Sequence, residues 1–383
     1  MSNKKVIVIT DIGDWAYFQW FLYGFYLLQR KKEICIKFKL SPFQKMTTLF
    51  RNEHLCKLLY KLNSKHEKRY LKGFLIENGK EMHFCIDCSD SPFVFNVKLL
   101  ESVDRYFKIQ CPKVIDKDGF RLNKRILVPF LSDEKVCDRH CKNITCKVIK
   151  FKNKIMPLMV GPRRMSYSNT FWSLNRFFKK ATLLSKNKKT KSIMCYFNND
   201  VPPTPEAGNG VCDFDSEASL CFYYKGYINH PNIKRGRMAD IVNGLGHSCD
   251  GRIINRSDFS PTGNKSSDLY IKLKDFPSFV SDFVWNVNIS GFRLSAPNRF
   301  LESFMVGTRV FTDKLHVKWF DSFGDGVFET IDMGYELLTD SDWNKITEDL
   351  KKCLTDKKEV DTFSKWNPEL VANYILKSLE TDN

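Results

Sequence analysis

The sequence predicts an α/β fold of two doubly wound halves, on three observations. Its 383 residues suit two domains with ample core, and its 43% hydrophobic and 27% charged content is that of a globular protein. It opens on a strand–loop–helix–strand run. The same alternation of apolar strands and helices resumes from Ser192 onward.

Val6 to Thr10 is a continuous apolar run, the pattern of a strand buried on both faces. Asp11 to Asp14 forms the loop after it, and Trp15 to Arg30 reads as an aromatic-rich helix leading to a second strand, Ile34 to Leu40. In doubly wound sheets ligands sit beyond the carboxyl ends of strands, which places Asp11 and Asp14 where chemistry happens. Ser41 to Lys68 reads as a basic helix. Tyr70 to Asp87 reads as a hairpin turning at Asn78-Gly79. Asp87 and Asp90 follow at another strand end, and further strands are expected at Ile109 to Cys111 and Ile126 to Val128.

The interdomain region is read at Gly161 to Arg164 and in the basic segment Phe177 to Lys191. The resulting division is 1–185, 186–365 and a terminal helix over 366–383 that crosses back to the first half. In the second half, strands are expected at Ser192 to Phe197, Leu220 to Tyr224, Gly251 to Asn255, Leu269 to Leu273 and Trp285 to Ile289. Helices are expected from Met238 to about Leu245, over Phe276 to Phe283, over Asp340 to Leu354 (capped by Asp342) and over Pro368 to Leu379.

Formal charge is +17. Nucleic acid, an anionic membrane surface and phosphorylated substrates are the three partner classes such charge fits. No nucleic-acid motif accompanies the lysines, so no nucleic-acid partner is expected. The 13 cysteines are dispersed and odd in number; no apolar leader opens the chain and no run of about 18 apolar residues occurs. Reduced thiols and a cytoplasmic location follow, with peripheral contact at an anionic membrane face compatible with the charge. Cys137, His140, Cys141 and Cys146 contain zinc-ligand types without paired spacing, and the reading is a reduced loop rather than a metal site.

Asn288 to Phe320 is the stretch around which the second half is organised. Pro297 suits a helix's first turn and Ser295 a cap; Phe300, Leu301, Phe304 and Met305 fall at helical spacing, Gly307 ends the helix, and Arg309 to Phe311 reads as a buried strand. A helix start favours an anion, with Arg293 and Arg299 adding charge, and Glu302 placed to accept from sugar hydroxyls. The plainer alternative is an ordinary helix whose acid offsets its dipole. Lys234-Arg235-Gly236-Arg237, read beside a helix start, is a second anion site or a solvated basic turn.

The order Gly291, Ser295, Pro297, Arg299, Glu302, Gly307, Val310 resembles the donor segment of glycosyltransferases of the GT-B fold, exostosin-like and related bacterial enzymes being the nearest pattern. That resemblance covers about 30 residues closely. It implies two Rossmann-like domains facing a cleft, no cofactor and no bound metal. It also implies a sugar moved from a nucleotide-sugar donor to a glycan or lipid-linked acceptor in glycan or surface polysaccharide synthesis. Ser295, Asn298 and Arg299 then lie near the diphosphate and Glu302 near the ribose or sugar. Arg235, ahead of Lys234 and Arg237, stabilises the leaving diphosphate, and Asp14 serves as base if the reaction inverts, with Asp11 and the Asp87/Asp90 pair as alternatives. The competing class is a non-enzymatic protein binding nucleic acid or another polyanion.

Overall fold

The computed structural model describes residues 5–13, 15–42, 44–45, 69–89, 95–113, 115, 147–162, 169–198, 225–254, 271, 275–289, 296–313, 315, 317–321, 328–331, 338–356, 360–362 and 367–380, with backbone alone for 198, 225–232 and 328–331. Several sequence expectations lie outside these residues. They are Asp14, Asp90, Arg293, Ser295, the strands at 126–128 and 220–224, most of the helix expected over 41–68, most of the strand at 269–273, and the cysteine-histidine loop at 137–146.

The first half is a mixed sheet of β1 (Lys5–Ile12), β2 (Ile34–Phe38), β3 (Tyr70–Glu77), β4 (Lys80–Asp87), β5 (Arg105–Lys108) and β7 (Ile155–Pro157), in the order β2-β1-β3-β4-β5-β7. β1 and β2 are parallel, joined over helix α1 (Gln19–Arg30), as the opening run predicts. The hairpin also forms: Asn78 and Gly79 both adopt positive φ, 52° and 78°, as a two-residue turn twisted with its strands requires. A turn this short allows only antiparallel neighbours. β3 therefore runs against β4; it also pairs antiparallel with β1, so the sheet is mixed rather than doubly wound throughout. The strand expected at Ile109 to Cys111 is shifted: β5 ends at Lys108, and Cys111–Pro112 forms the short β6. Helix α2 (Val97–Ser102) is capped by Asn96, whose side chain accepts from Leu99 N at 2.9 Å.

Part of the stretch read as the interdomain region, Phe177 to Lys191, lies in a well-formed helix, α3 (Phe171–Ser185), with Thr170 at its cap and Leu174, Phe178 and Ala181 buried. β8 (Lys191–Asn198) follows and begins a five-stranded sheet with β9 (Cys249–Ile254), β10 (Phe283–Asn288), β11 (Arg309–Asp313) and β13 (Phe328–Ile331). Every pairing in it is parallel, and its order, β13-β11-β10-β8-β9, is a 2-1-3-4-5 winding when its own strands are counted in sequence. Side chains alternate along β8. Ile193, Cys195 and Phe197 meet helices α4 (Lys225–Gly244) and α7 (Asp340–Thr355) through Met238, Val242, Trp343, Ile346 and Leu350, while Met194 and Tyr196 meet α5 (Phe276–Val280). Both faces are therefore covered, as a parallel sheet demands. Helix α4 packs so closely on β9 that a Cβ at Gly251 would lie 2.4 Å from the Ala239 carbonyl oxygen. Helix α7 is capped by Thr339, and Asp342, expected as the cap itself, is the third residue of a reciprocal capping box.

One hydrophobic cluster joins the halves. Phe300, Leu301 and Phe304 of helix α6 (Arg299–Phe304) pack with Trp20, Phe21 and Phe25 of α1, with Phe178 of α3, and with Val371 and Ile375 of helix α8 (Pro368–Glu380). A two-stranded antiparallel pairing of β6 with β12 (Val317–Lys318) adds a backbone link. The terminal helix α8 lies on α1, where Gly24 leaves no room for a side chain: a Cβ there would sit 2.2 Å from the Pro368 carbonyl oxygen. Lys31, at the end of α1, pairs with Glu369 of α8, and Lys5 of β1 pairs with Glu380 at its far end, at 2.6 Å. No described helix is long and apolar enough to cross a membrane.

Burial of acidic O–H and S–H groups gives the fold a pH signature. Desolvation raises Tyr23, Tyr26 and Tyr374 to about 12 and Cys111 to about 11. Lys189 moves oppositely, lowered to about 8 by burial. The unfolded chain holds the Lys189 proton above pH 8 while the folded chain does not, so this group adds stability as pH rises from about 8 to 10.5. The phenols and Cys111 act with the other sign: the unfolded chain releases protons from about pH 9 that the folded chain retains, so stability falls toward pH 12. Urea midpoints should therefore pass a maximum near about pH 9 and drop steeply above about pH 10.

Candidate functional site

The carboxyl edge of the five-stranded sheet carries the site. In a 2-1-3-4-5 winding the chain reverses its direction of progress between the first and third strands, here β8 and β10, and it is at the carboxyl ends of such strands that these sheets hold ligands. Helix α4 follows β8 and helix α6 follows β10, so both deliver side chains to that edge.

Helix α4 begins at Lys225, not near Met238 as the Gly and Pro signals around Gly226 and Pro231 suggest. It runs through Pro231, which has no N–H to donate, because its later turns are held by Met238, Ala239 and Val242 against the sheet. The basic cluster thus sits inside the helix rather than at its start. Lys234 and Arg235 are buried on the inner face. Arg237 is exposed and pairs with Asp340 across 3.5 Å, apart from the buried pair. An ion pair this exposed contributes little.

Helix α6 is only six residues long, shorter than the expected span to Val306. Its first residue is Arg299, so Pro297 precedes the helix; Asn298 stands at the cap without a side-chain cap bond. Gly307, at φ 74°, closes the turn after it. The helix is located by polar contacts on both sides. Asn286 of β10 donates to Ser303 Oγ at 2.8 Å, and Ser303 Oγ donates to the Arg299 carbonyl at 2.7 Å. Asn298 donates to the Gly161 carbonyl at 2.5 Å, while Ala296 and Gln110 exchange two hydrogen bonds, at 2.6 and 3.0 Å. The amide of Asn298 thereby joins the two halves.

Arg299 donates through Nη1 to the Tyr196 carbonyl, near the end of β8. Burial pulls its pKa from 12.5 down to about 10, and the strongest charge acting on it is that of Arg235, in the same direction; Glu302, itself buried, works against both. Lys234 is likewise lowered by burial and partly restored by Asp313, the last residue of β11. Asn288, ending β10, donates to Thr312 Oγ1 at 3.1 Å, and Thr312 donates to Asp313 at 3.1 Å. Three cations, Lys234, Arg235 and Arg299, are thus gathered with two carboxylates, Glu302 and Asp313, at one sheet edge. Burial and the like charge of Arg235 both disfavour the charged form of Arg299, and Glu302 offsets part of that.

Asp313, Asn288 and the Tyr196 carbonyl were not singled out from the sequence. Each ends or nearly ends an apolar strand run, and that position was the available signal.

The first half places its acids differently from one another. Asp11 remains partly exposed near the end of β1, held by Gln44 and lying 3.5 Å from Lys72 Nζ. Asp87 is wholly buried: Lys108 Nζ and Tyr106 OH donate to one carboxylate oxygen at 2.8 Å each, and Ser89 N donates to the other at 2.7 Å. Lys108 also reaches Ser89 Oγ at 2.9 Å and lies 4.9 Å from the Phe95 ring. Asp87 is a closed structural network and not a base open to an acceptor. Among the described residues no group of three or more His, Cys, Asp or Glu side chains is placed to hold a metal ion.

Fold and site together define an α/β protein with a cationic cluster at the switch point of a parallel sheet. No protein-family model, curated protein or solved structure matches the chain.

Proposed function

We propose that the protein is a glycosyltransferase of GT-B-like design, moving a sugar from a nucleotide-sugar donor to a glycan or lipid-linked acceptor. One observation carries the reading: Arg235 and Arg299 share one field beside Glu302 at the switch point of the parallel sheet. A nucleoside diphosphate supplies the anion that such a pair favours, and charge grows on that diphosphate as the glycosidic bond breaks. Fixed guanidinium donors stabilise the developing charge without reorganisation. Arg235 takes the leaving-group role, Lys234 and Arg299 bind the diphosphate, Ser295 is proposed for the same role on the resemblance alone, and Glu302 accepts from ribose or sugar hydroxyls. The acceptor side belongs to the first half, where Asp14 is the proposed base for an inverting reaction and Asp11 its alternative. The return of α8 to α1 supports a two-domain arrangement of this kind.

A thermal-shift screen against UDP-, GDP-, CMP- and dTDP-sugars tests the reading. At ligand a hundredfold over Kd the native state gains about 2.7 kcal/mol, a rise of several degrees for one nucleotide class. Equal, negligible shifts for all four, alongside salt-sensitive binding to generic RNA or DNA, would favour the polyanion-binding alternative.

A further inference from the structure

The helix between the two sheets has an outer face on which none of the described residues packs. Seven cations and no carboxylate occur from Phe171 to Lys191. Within α3, Leu174, Phe178 and Ala181 point inward, Phe178 stacking on Tyr23 of α1 with ring centroids 4.3 Å apart, and Asn175 accepts from the Tyr23 hydroxyl at 2.9 Å. On the opposite side Trp172 is 61% and Leu183 68% exposed, the two largest exposures among the described apolar side chains. Eleven residues apart, they differ by only about 20° around the axis and lie about 16 Å apart along it. Arg176, Lys179 and Lys180 are exposed on the same side, Arg176 5.8 Å from the Trp172 ring. Past the helix, Lys186, Lys188 and Lys191 line a groove of about 1050 Å³ that Asp356 and Asp361 also border. Lys189 is the exception, turned inward to the Ser281 and Val306 carbonyls at 2.9 and 2.5 Å.

We infer that this face of α3 docks on an anionic lipid bilayer, lying in the plane of the headgroups. The charge is complementary to such a surface. A tryptophan and a leucine at one level are the apolar anchors an interfacial helix inserts below the headgroups. A nucleic-acid backbone would use the cations but leave Leu183 without a partner, so lipid is the occupant the face fits better. The inference is independent of whether the sheet edge transfers a sugar.

Flotation of the full chain with vesicles tests it. Equimolar phosphatidylcholine and phosphatidylserine vesicles should carry the protein, and pure phosphatidylcholine should not. The variant R176Q/K179Q/K180Q should bind roughly a hundredfold more weakly, from the loss of three surface cations. W172Q/L183Q should weaken binding at least about tenfold through lost apolar burial. Trp emission of the unaltered protein should be quenched by bromine-labelled lipid, a readout that needs no variant. Failure of the native chain to float, absence of quenching, undiminished flotation of either variant, or capture by homopolymeric RNA in preference to vesicles would each overturn the inference.

Discussion

Arg235→Ala is expected to lower donor-dependent transfer by about 10²- to 10³-fold, the range for removing one fixed donor to a developing anion. The fold should not suffer in proportion. Arg235 is the charge that most depresses Arg299, so deleting it relieves a like-charge contact inside a buried site. A thermal melt of the variant reads separately what the loss of Arg235's own buried contacts costs the fold. Glu302→Gln separates the roles further. It removes the carboxylate that offsets Arg299 and an acceptor for sugar hydroxyls, so transfer should fall while Arg299 loses its compensation and stability drops. Initial rates with the donor identified by the screen, beside a thermal melt of each variant, decide the matter. Unchanged turnover in both variants defeats the assignment.

Lys108→Met is expected to produce the largest loss of stability, about 3–5 kcal/mol, by leaving the fully buried Asp87 without its counter-ion. Against a total of about 5–15 kcal/mol for a folded domain, that is a large fraction. Tyr106 and Ser89 would still donate to the carboxylate, which keeps the cost from being larger. Pairing the change with Asp87→Asn should restore part of the loss, because the uncompensated charge is gone; a double-mutant cycle in urea measures the coupling. If Lys108→Met unfolds at the native urea concentration, the network is ornamental and the first sheet is held otherwise.

These two sites differ in how much the sequence revealed. The Asn78-Gly79 hairpin, the opening β1–α1–β2 unit and the buried face of α7 follow from short-range signals, and each forms. The Asp87–Lys108 pair does not follow from such signals. It exists because β4 and β5 lie side by side with Asp87 opposite Lys108, a register that no local pattern encodes. Lys108, one residue after Phe107 at a strand end, reads as surface until its neighbour is known.

The candidate site was half legible. Arg235, Lys234, Arg299 and Glu302 stand out in the sequence as charges beside expected helix starts, with roles that only the resemblance supplies, and α4 and α6 bring them to one sheet edge. The mechanism of placement was misjudged. Helix starts were expected to hold the anion, yet α6 is a single short piece and the α4 cations lie well inside their helix, so side chains supply the positive field. Arg237, one step past a glycine from Arg235, could not be distinguished from it by sequence. A difference of two positions on a helix, about 200°, puts one inside and the other in solvent.

That contrast supplies the most direct measurement. Calorimetric titration of the nucleoside diphosphate selected by the screen should show Arg235→Ala binding at least about tenfold more weakly than the native chain, a loss of one charge-assisted contact. Arg237→Ala should bind as the native chain does. Native-like affinity in Arg235→Ala, or a loss confined to Arg237→Ala, would contradict a diphosphate held at the switch point of the parallel sheet.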